Sequence, residues 1–541
     1  MSRRRMIAGT LALAILTFVI HGSALDGWWL SDDPQVLVHA ITETPARVLF
    51  SPPAWRYLSA SSFTPLVTIS FDFDLWLGGL EPRLFYLHQI VMIAVAAGLL
   101  FVLLAQAGRL IAAWLASAAF LVAPATIMAA RGLMVRHYVE GLVFALAALI
   151  LWHWANADRT HAKRGVLAAA AAFSYLLAML AKEFFAPLPL LLIWHARARG
   201  SSWKSIAIHL VPSALSAGIY IGWRTWMLGS GGGYGGELDL SEMAGVPLAA
   251  WLAIVRPASV GFSLAVAAVV AVALVLALRE RPRLSAGFLI AAGIFVVLPL
   301  LMLASNFEPR YGFVATVVLI SGVALATVTS ADRRWEALML SLVVLLFASG
   351  QDERHAAEVA SRAIVAEGRY IWSQPGSAPP ILASSPGWYL AGLDTIRQFD
   401  GRTASPAFFL STDAIVLSSL SPDRFVRSLW GTSEIRPLDP STKEAIVADR
   451  LAFDPAARLT VQLERRGNDI SWQLGPPEGR FVFLTVPYYG KFPIPAKGWR
   501  RISEAREQQY FRIRREVEGG RWTVSPVFPL PAGDGVVRWA R

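Results

Sequence analysis

MSRRRMIAGTLALAILTFVIHGSALDGWWLSDDPQV, residues 1–36, decides how the rest of the chain is read. Three arginines precede an apolar run long enough to cross a bilayer as a helix. Two adjacent carboxylates, Asp32 and Asp33, follow where that helix should meet water. The start also has the form of a secretory signal, and the small residues at Ser23 and Ala24 imitate a cleavage site. More apolar runs follow, so the segment is expected to remain as an anchor. Asp33 before Pro34 is equally a good helix start, an N-cap with proline at the first helical position. Capping and chemistry compete for the pair.

Of 541 residues, 55% are apolar and only 16% charged. Apolar runs predict spans at 6–25, 86–106, 109–128, 138–156, 165–181, 184–195, 206–227, 259–278, 285–304, 311–329 and 335–350. The fold class expected is therefore a polytopic α-helical membrane protein with about eleven transmembrane helices. If Arg3, Arg4 and Arg5 stay in the cytoplasm, Arg109, DRTHAKR, HARARGSSWK, RERPR and ADRR face the same side. The other side receives the aspartate pair, RGLMVRH, the Lys182–Glu183 pair, a glycine-rich stretch and NFEPR. Most of the basic excess, +11 overall, can thus be assigned to short inward loops, as the positive-inside rule predicts, and does not call for nucleic acid. The C-terminal third lies outside on this topology. With no cysteine, disulfides and thiolate chemistry are excluded.

Residues 1–350 form the membrane part, and 26–85 is its first external loop. There a short apolar helix (Val36, Leu37, Val38, Ile41) is expected on the membrane surface. GSGGGYGG, 229–236, reads as a flexible loop and lacks the Lys-Ser/Thr of a phosphate-binding loop. MAGVPLAAWLAIVRPAS is short for a span and reads as a second surface helix. From 351 to 541 the chain reads as a soluble mixed α/β domain, with strands at AIVLSSL, RLTVQLERR, DISWQL and RFVFLTV. A hairpin is expected at ERRGNDISW.

Charge at membrane helix ends is costly unless paired, hydrated or functional. On the outer side stand Asp32, Asp33, Asp72, Asp74, Arg131, Arg136, His137, Lys182, Glu183, Glu308 and Arg310. Separately, each reads as a snorkelling or locally paired group: Lys182 with Glu183 as an ion pair, Arg310–Tyr311 as an interface anchor.

In order, the motifs are SDDP after the first span, FTPLVTISFDFDLWLGGLEPRLFYLH before the second, Pro124, AKEFFAPLPLLL, YIGWRTWMLGSGGGYG and FEPRYGF. Over roughly residues 1–330 this series resembles the GT-C class of membrane glycosyltransferases, in particular proteins related to protein O-mannosyltransferases and tetratricopeptide-linked transmembrane mannosyltransferases. The chain departs from them at Thr64, Tyr86, His88 and Gln89, and no tetratricopeptide repeats follow.

The resemblance implies hexosyl or pentosyl transfer from a polyprenyl-phosphate carrier to a glycan, lipid or protein acceptor, with inversion, at a bacterial-type inner membrane. It makes Asp33 the base and Asp32 its positioning partner, two roles the sequence allows to be exchanged. Lys182, oriented by Glu183, and Arg310 beside Tyr311 would hold the leaving phosphate. Arg131, Arg136, His137 and Arg224 are further binding candidates, and a divalent cation beside the aspartates is compatible with the pair. A stabilised phosphate leaves without a second carboxylic acid to protonate it. A transporter or flippase of a lipid-linked or polyanionic substrate is the alternative. Against it, the sequence reading finds no charge deep within a span and no repeated halves. A catalytically inert scaffold is the third reading.

Overall fold

The computed structural model describes residues 3–541 apart from 60, 107–108, 158–160, 230–239, 256–259, 302–308, 330–333, 419, 468, 487–489, 502–508 and 532. The glycine-rich loop, Glu308 and parts of DRTHAKR, NFEPR and ADRR lie outside the described residues.

A backbone that cannot bond to solvent must pair with itself, so the long apolar runs fold as helices. Among the described residues, eight are long and apolar enough to cross a membrane: Arg3–Asp26, Pro82–Ala105, Leu133–Ala157, Lys163–Ala181, Trp203–Leu228, Gly261–Glu280, Pro282–Leu301 and Trp335–Ser373. Leu110–Val122 and Pro124–Arg131 make a ninth if counted as one span, bent by 55°. The bend follows from Pro124, which lacks an N–H and pushes Ala123 to extended backbone (φ −65°, ψ 143°). The run expected at 184–195 becomes the 11-residue helix Leu188–Ala198, about 16 Å long and too short to cross alone. The run at 311–329 becomes Gly312–Thr329.

The chain divides into two units. The first comprises Met1–Trp28, Thr44–Pro52 and Ser61–Ala357. Its most extensive helix pair, Arg136–Ala157 against His161–Ala181, closes on small residues. A Cβ on Gly141 would come within 2.3 Å of the Phe185 ring and 3.3 Å of the Ala178 carbonyl oxygen.

The second unit is Trp29–Glu43, Pro53–Ala60 and Glu358–Arg541. Two pieces of the first long loop thus fold with the C-terminal third. One small sheet orders Phe408–Phe409, Ile381–Leu382, Val426–Ser428 and Ile435–Pro437, with its first three strands parallel. Two antiparallel sheets share one core. One is Gly535–Ala540, Thr460–Arg466, Asp469–Gly475, Lys497–Arg501; the other carries Arg480–Val486 and Tyr510–Glu516 at its centre. Val461, Leu463, Ile470 and Leu474 from the first meet Phe481, Phe511 and Ile513 from the second. The expected hairpin joins Thr460–Arg466 to Asp469–Gly475, turning at Gly467 with φ 57°.

AIVLSSL is not a strand. It lies mostly in the helix Thr412–Ser418, which buries Asp413, Ala414, Ile415 and Val416 together. A short apolar run suits a buried helix as well as a strand. Here Asp413 in the first helical turn is taken up by Arg514 and Lys491, and the chain stays helical around that ion pair.

The helix Pro440–Leu451 starts at Asp439, whose carboxylate accepts from the Thr442 N–H at 2.9 Å and from the Ser441 hydroxyl at 2.6 Å. The Ser441 bond, then those from Thr442, hold its pKa well below the usual carboxylate value of 3.8. The charged cap therefore stabilises the fold above that value and is lost as pH falls through the folded pKa. Asp439→Ala is expected to lower the unfolding midpoint at neutral pH. The gap from the parent should narrow steadily in acid, as pH-dependent thermal melts would record.

Candidate active site

The aspartate turn sits in the second unit. Ser31 takes a left-handed conformation, φ 48°, which is uncommon for a residue with a side chain. This reverses the chain so that Asp33 Oδ2 accepts from the Leu30 N–H at 2.8 Å while the Asp33 N–H donates to the Leu30 carbonyl at 2.9 Å. The helix begins at Asp33, one residue earlier than an Asp33 cap implies, and Asp32 occupies the cap position without a side-chain capping bond. Asp33 is fully buried. Asp32 is half-buried, and its Oδ1 accepts from the indole N–H of Trp388 at 3.1 Å.

The helix Gly387–Phe399 supports this turn. Tyr389 donates its hydroxyl proton to the Trp29 carbonyl at 2.9 Å. Val36, Leu37 and Val38 are buried, so protein already covers the apolar side of the Asp33–Thr42 helix. Gly392 makes the close approach possible: a Cβ there would lie 2.7 Å from Pro34 Cβ and 3.2 Å from its carbonyl carbon. Gly392→Leu is expected to cost about 1–3 kcal/mol by overpacking. It should also displace the aspartate turn, so activity should fall further than Tm alone explains.

The cations gather in the first unit. Lys182 breaks the helix ending at Ala181 by adopting extended backbone (φ −156°, ψ 126°). Its ammonium, nearly buried, lies 3.5 Å from Glu183 Oε1 and 5.4 Å from the Tyr138 ring centroid. Tyr138 is 6.2 Å from Tyr311, whose ring carries the Arg310 guanidinium at 5.8 Å. The His137 ring packs against Tyr138, with ring centroids 4.6 Å apart and planes tilted by 41°. Lys182, Arg310, Tyr311 and His137 are thus brought together around Tyr138, a residue the sequence reading passed over. Arg224, on the helix Trp203–Leu228, donates to the Ser61 carbonyl at 3.3 Å.

Two expected ligands are engaged elsewhere. Arg131 donates to the Ser23 hydroxyl at 3.1 Å. Arg136, fully buried, donates to Asp74 Oδ2 at 2.5 Å and the Phe85 carbonyl at 2.7 Å, and covers the Phe71 ring at 4.6 Å. His88 Nδ1 reaches the other Asp74 oxygen at 2.7 Å. Glu140, buried one turn beyond Arg136, belongs to the same network. Arg136 and Glu140 are the fourth and eighth residues of the span Leu133–Ala157, so this buried pair lies near one end of it. The Arg136–Glu140 spacing was a legible signal, because residues four apart share a helix face.

Phe185, three residues beyond Lys182, lines a mostly apolar cavity of about 290 Å³ between the helices with Leu142, Leu146 and Phe295, and the cavity's polar lining, His153, His195, Arg199 and Arg281, comes from the helix ends away from the cation cluster. Among the described residues, no group of three or more His, Asp or Glu side chains is arranged to hold a metal ion.

No protein-family description matches the chain, and no curated protein matches it. Two crystal structures are similar in fold, both of ArnT from Cupriavidus metallidurans. The apo state is 12% identical with a TM-score of 0.41. The state bound to undecaprenyl phosphate is 12% identical with a TM-score of 0.40. Each similarity covers 81% of this chain and 94% of the other.

Proposed function

We propose that the protein is a GT-C-type membrane glycosyltransferase that moves a sugar from a polyprenyl-phosphate carrier to an acceptor on the outer face of a bacterial-type inner membrane. One observation carries the reading: two cations, Lys182 and Arg310, lie around Tyr138 and Tyr311, and Phe185, three residues from Lys182, lines an apolar cavity between membrane helices. Such a juxtaposition matches an amphiphile with a phosphate head and a hydrocarbon tail. Asp33 removes the acceptor hydroxyl proton while Asp32 positions it. The acceptor oxygen attacks the anomeric carbon from the side opposite the phosphate, the carbon–oxygen bond to phosphate breaks, and the configuration inverts. Lys182 and Arg310 neutralise the charge that grows on the departing phosphate. The N-terminus is cytoplasmic and the C-terminal unit extracytoplasmic, so a reporter fused after Arg541 reads out outside.

The buried Asp74–Arg136–Glu140–His88 network is the one feature favouring a transporter instead. A single assay separates the two. Purified protein in lipid is given a polyprenyl-phosphate sugar and candidate acceptors, and both sugar transfer and leaflet exchange of the intact lipid are measured. Transfer is expected, and Lys182→Met should slow it about 10²-fold or more by removing one charge from the leaving group's cradle. Lipid exchange without any transfer means that the transporter reading is the right one.

A further inference from the structure

The outer face of the sheet Gly535–Ala540, Thr460–Arg466, Asp469–Gly475, Lys497–Arg501 carries side chains that the fold does not use. Register fixes them in a line: Arg538 opposes Gln462, Gln462 opposes Gln473, and Gln473 opposes Lys497. Alternation puts these four on the side away from the core that holds Val461, Leu463, Ile470 and Leu474. Three inter-strand spacings make the line about 14 Å long. The next row on the same face is Val536, Glu464, Ser471 and Trp499. Trp499 is 64% exposed. Glu464 is already paired with Arg466 at 2.6 Å. By contrast, the side chains of Arg538, Gln462, Gln473, Lys497 and Trp499 make no hydrogen bond, ion pair or ring contact among the described residues.

We propose that this sheet face binds an acidic oligosaccharide, Trp499 stacking on a sugar ring, Gln462 and Gln473 bonding its hydroxyls, and Arg538 and Lys497 holding carboxylate or phosphate substituents. Each part follows from side-chain chemistry. A primary amide both donates and accepts, as a hydroxyl does, so two amides in line suit a run of sugar hydroxyls. An indole gives a large apolar face at small entropic cost. The cations flank the amides, with no carboxylate in their row to compete for an anionic ligand. A strand-like peptide would add to a sheet edge and not cross its face. Single-stranded nucleic acid would need several stacking rings, where this row pair has one.

The test is binding by the full-length protein in detergent, with no lipid donor present, so that its outcome is independent of glycosyl transfer. The probes are tetragalacturonate, neutral cellotetraose and polyglutamate, measured by titration calorimetry. Tetragalacturonate should bind best. Trp499→Ala should weaken it roughly tenfold or more, whereas Trp430→Ala, at an equally exposed indole elsewhere in the unit, should not. The double variant Arg538→Gln, Lys497→Gln should lose the preference over cellotetraose. The proposal is overturned if the wild-type protein binds neither sugar, if Trp499→Ala binds as tightly as wild type, or if polyglutamate binds as well as tetragalacturonate. The last result would mark a plain cationic surface.

Discussion

Asp33→Asn is expected to lower the rate of sugar transfer by about 10²–10⁴, the usual loss when a general base is removed. The substitution is close to isosteric, and the asparagine oxygen can accept the same bond from the Leu30 N–H that holds the turn. Folding should survive while the base is gone. Asp32→Asn keeps an oxygen for the Trp388 indole and should cost less, about tenfold. The structure gives Asp32 the greater exposure and Asp33 the tighter setting, so this comparison assigns the roles. If Asp32→Asn shows the larger loss, the two exchange parts. If both variants turn over like wild type, neither aspartate is the base.

The largest loss of stability should come from Arg136→Met. The guanidinium is fully buried between Asp74, the Phe85 carbonyl and the Phe71 ring. Removing it leaves the Asp74 carboxylate buried with only His88 opposite, which costs about 3–5 kcal/mol in comparable buried pairs. The double variant Arg136→Met, Asp74→Leu should recover a substantial part of that, because two apolar side chains leave no stranded charge on that pair. Unfolding of the purified protein in mixed micelles, followed by helical circular dichroism, measures all three. A double variant no more stable than Arg136→Met would mean that Glu140, not Asp74, is what Arg136 neutralises.

How far these features could be read beforehand depended on how local their causes are. A run such as Pro82–Ala105 announces itself, since every residue of a span obeys the same solvent. Gly467 marked the hairpin through backbone geometry confined to one or two residues, whereas the span expected at 109–128 was read straight through Pro124, where the helix bends. Lys182, Arg310 and His137 were legible as charges at helix ends, but Tyr138, the ring they surround, carries no charge and was passed over. Arg136 was legible as a charge and not as a partner, because Asp74 lies 62 residues earlier in the sequence. Trp388 could not have been found at all: nothing in either local sequence ties it to Asp32.

That last contact reaches across 356 residues, and it sets a timetable for the protein's manufacture. The ribosome delivers Asp32 a full 356 residues ahead of Trp388. At about 5–20 residues per second, the wait is on the order of 20–70 seconds. Until then the carboxylates have neither Trp388 nor Tyr389 against them. A nascent chain arrested before residue 387 would therefore hold an inserted helical bundle with an unfinished aspartate turn, leaving it inactive until the last third is made.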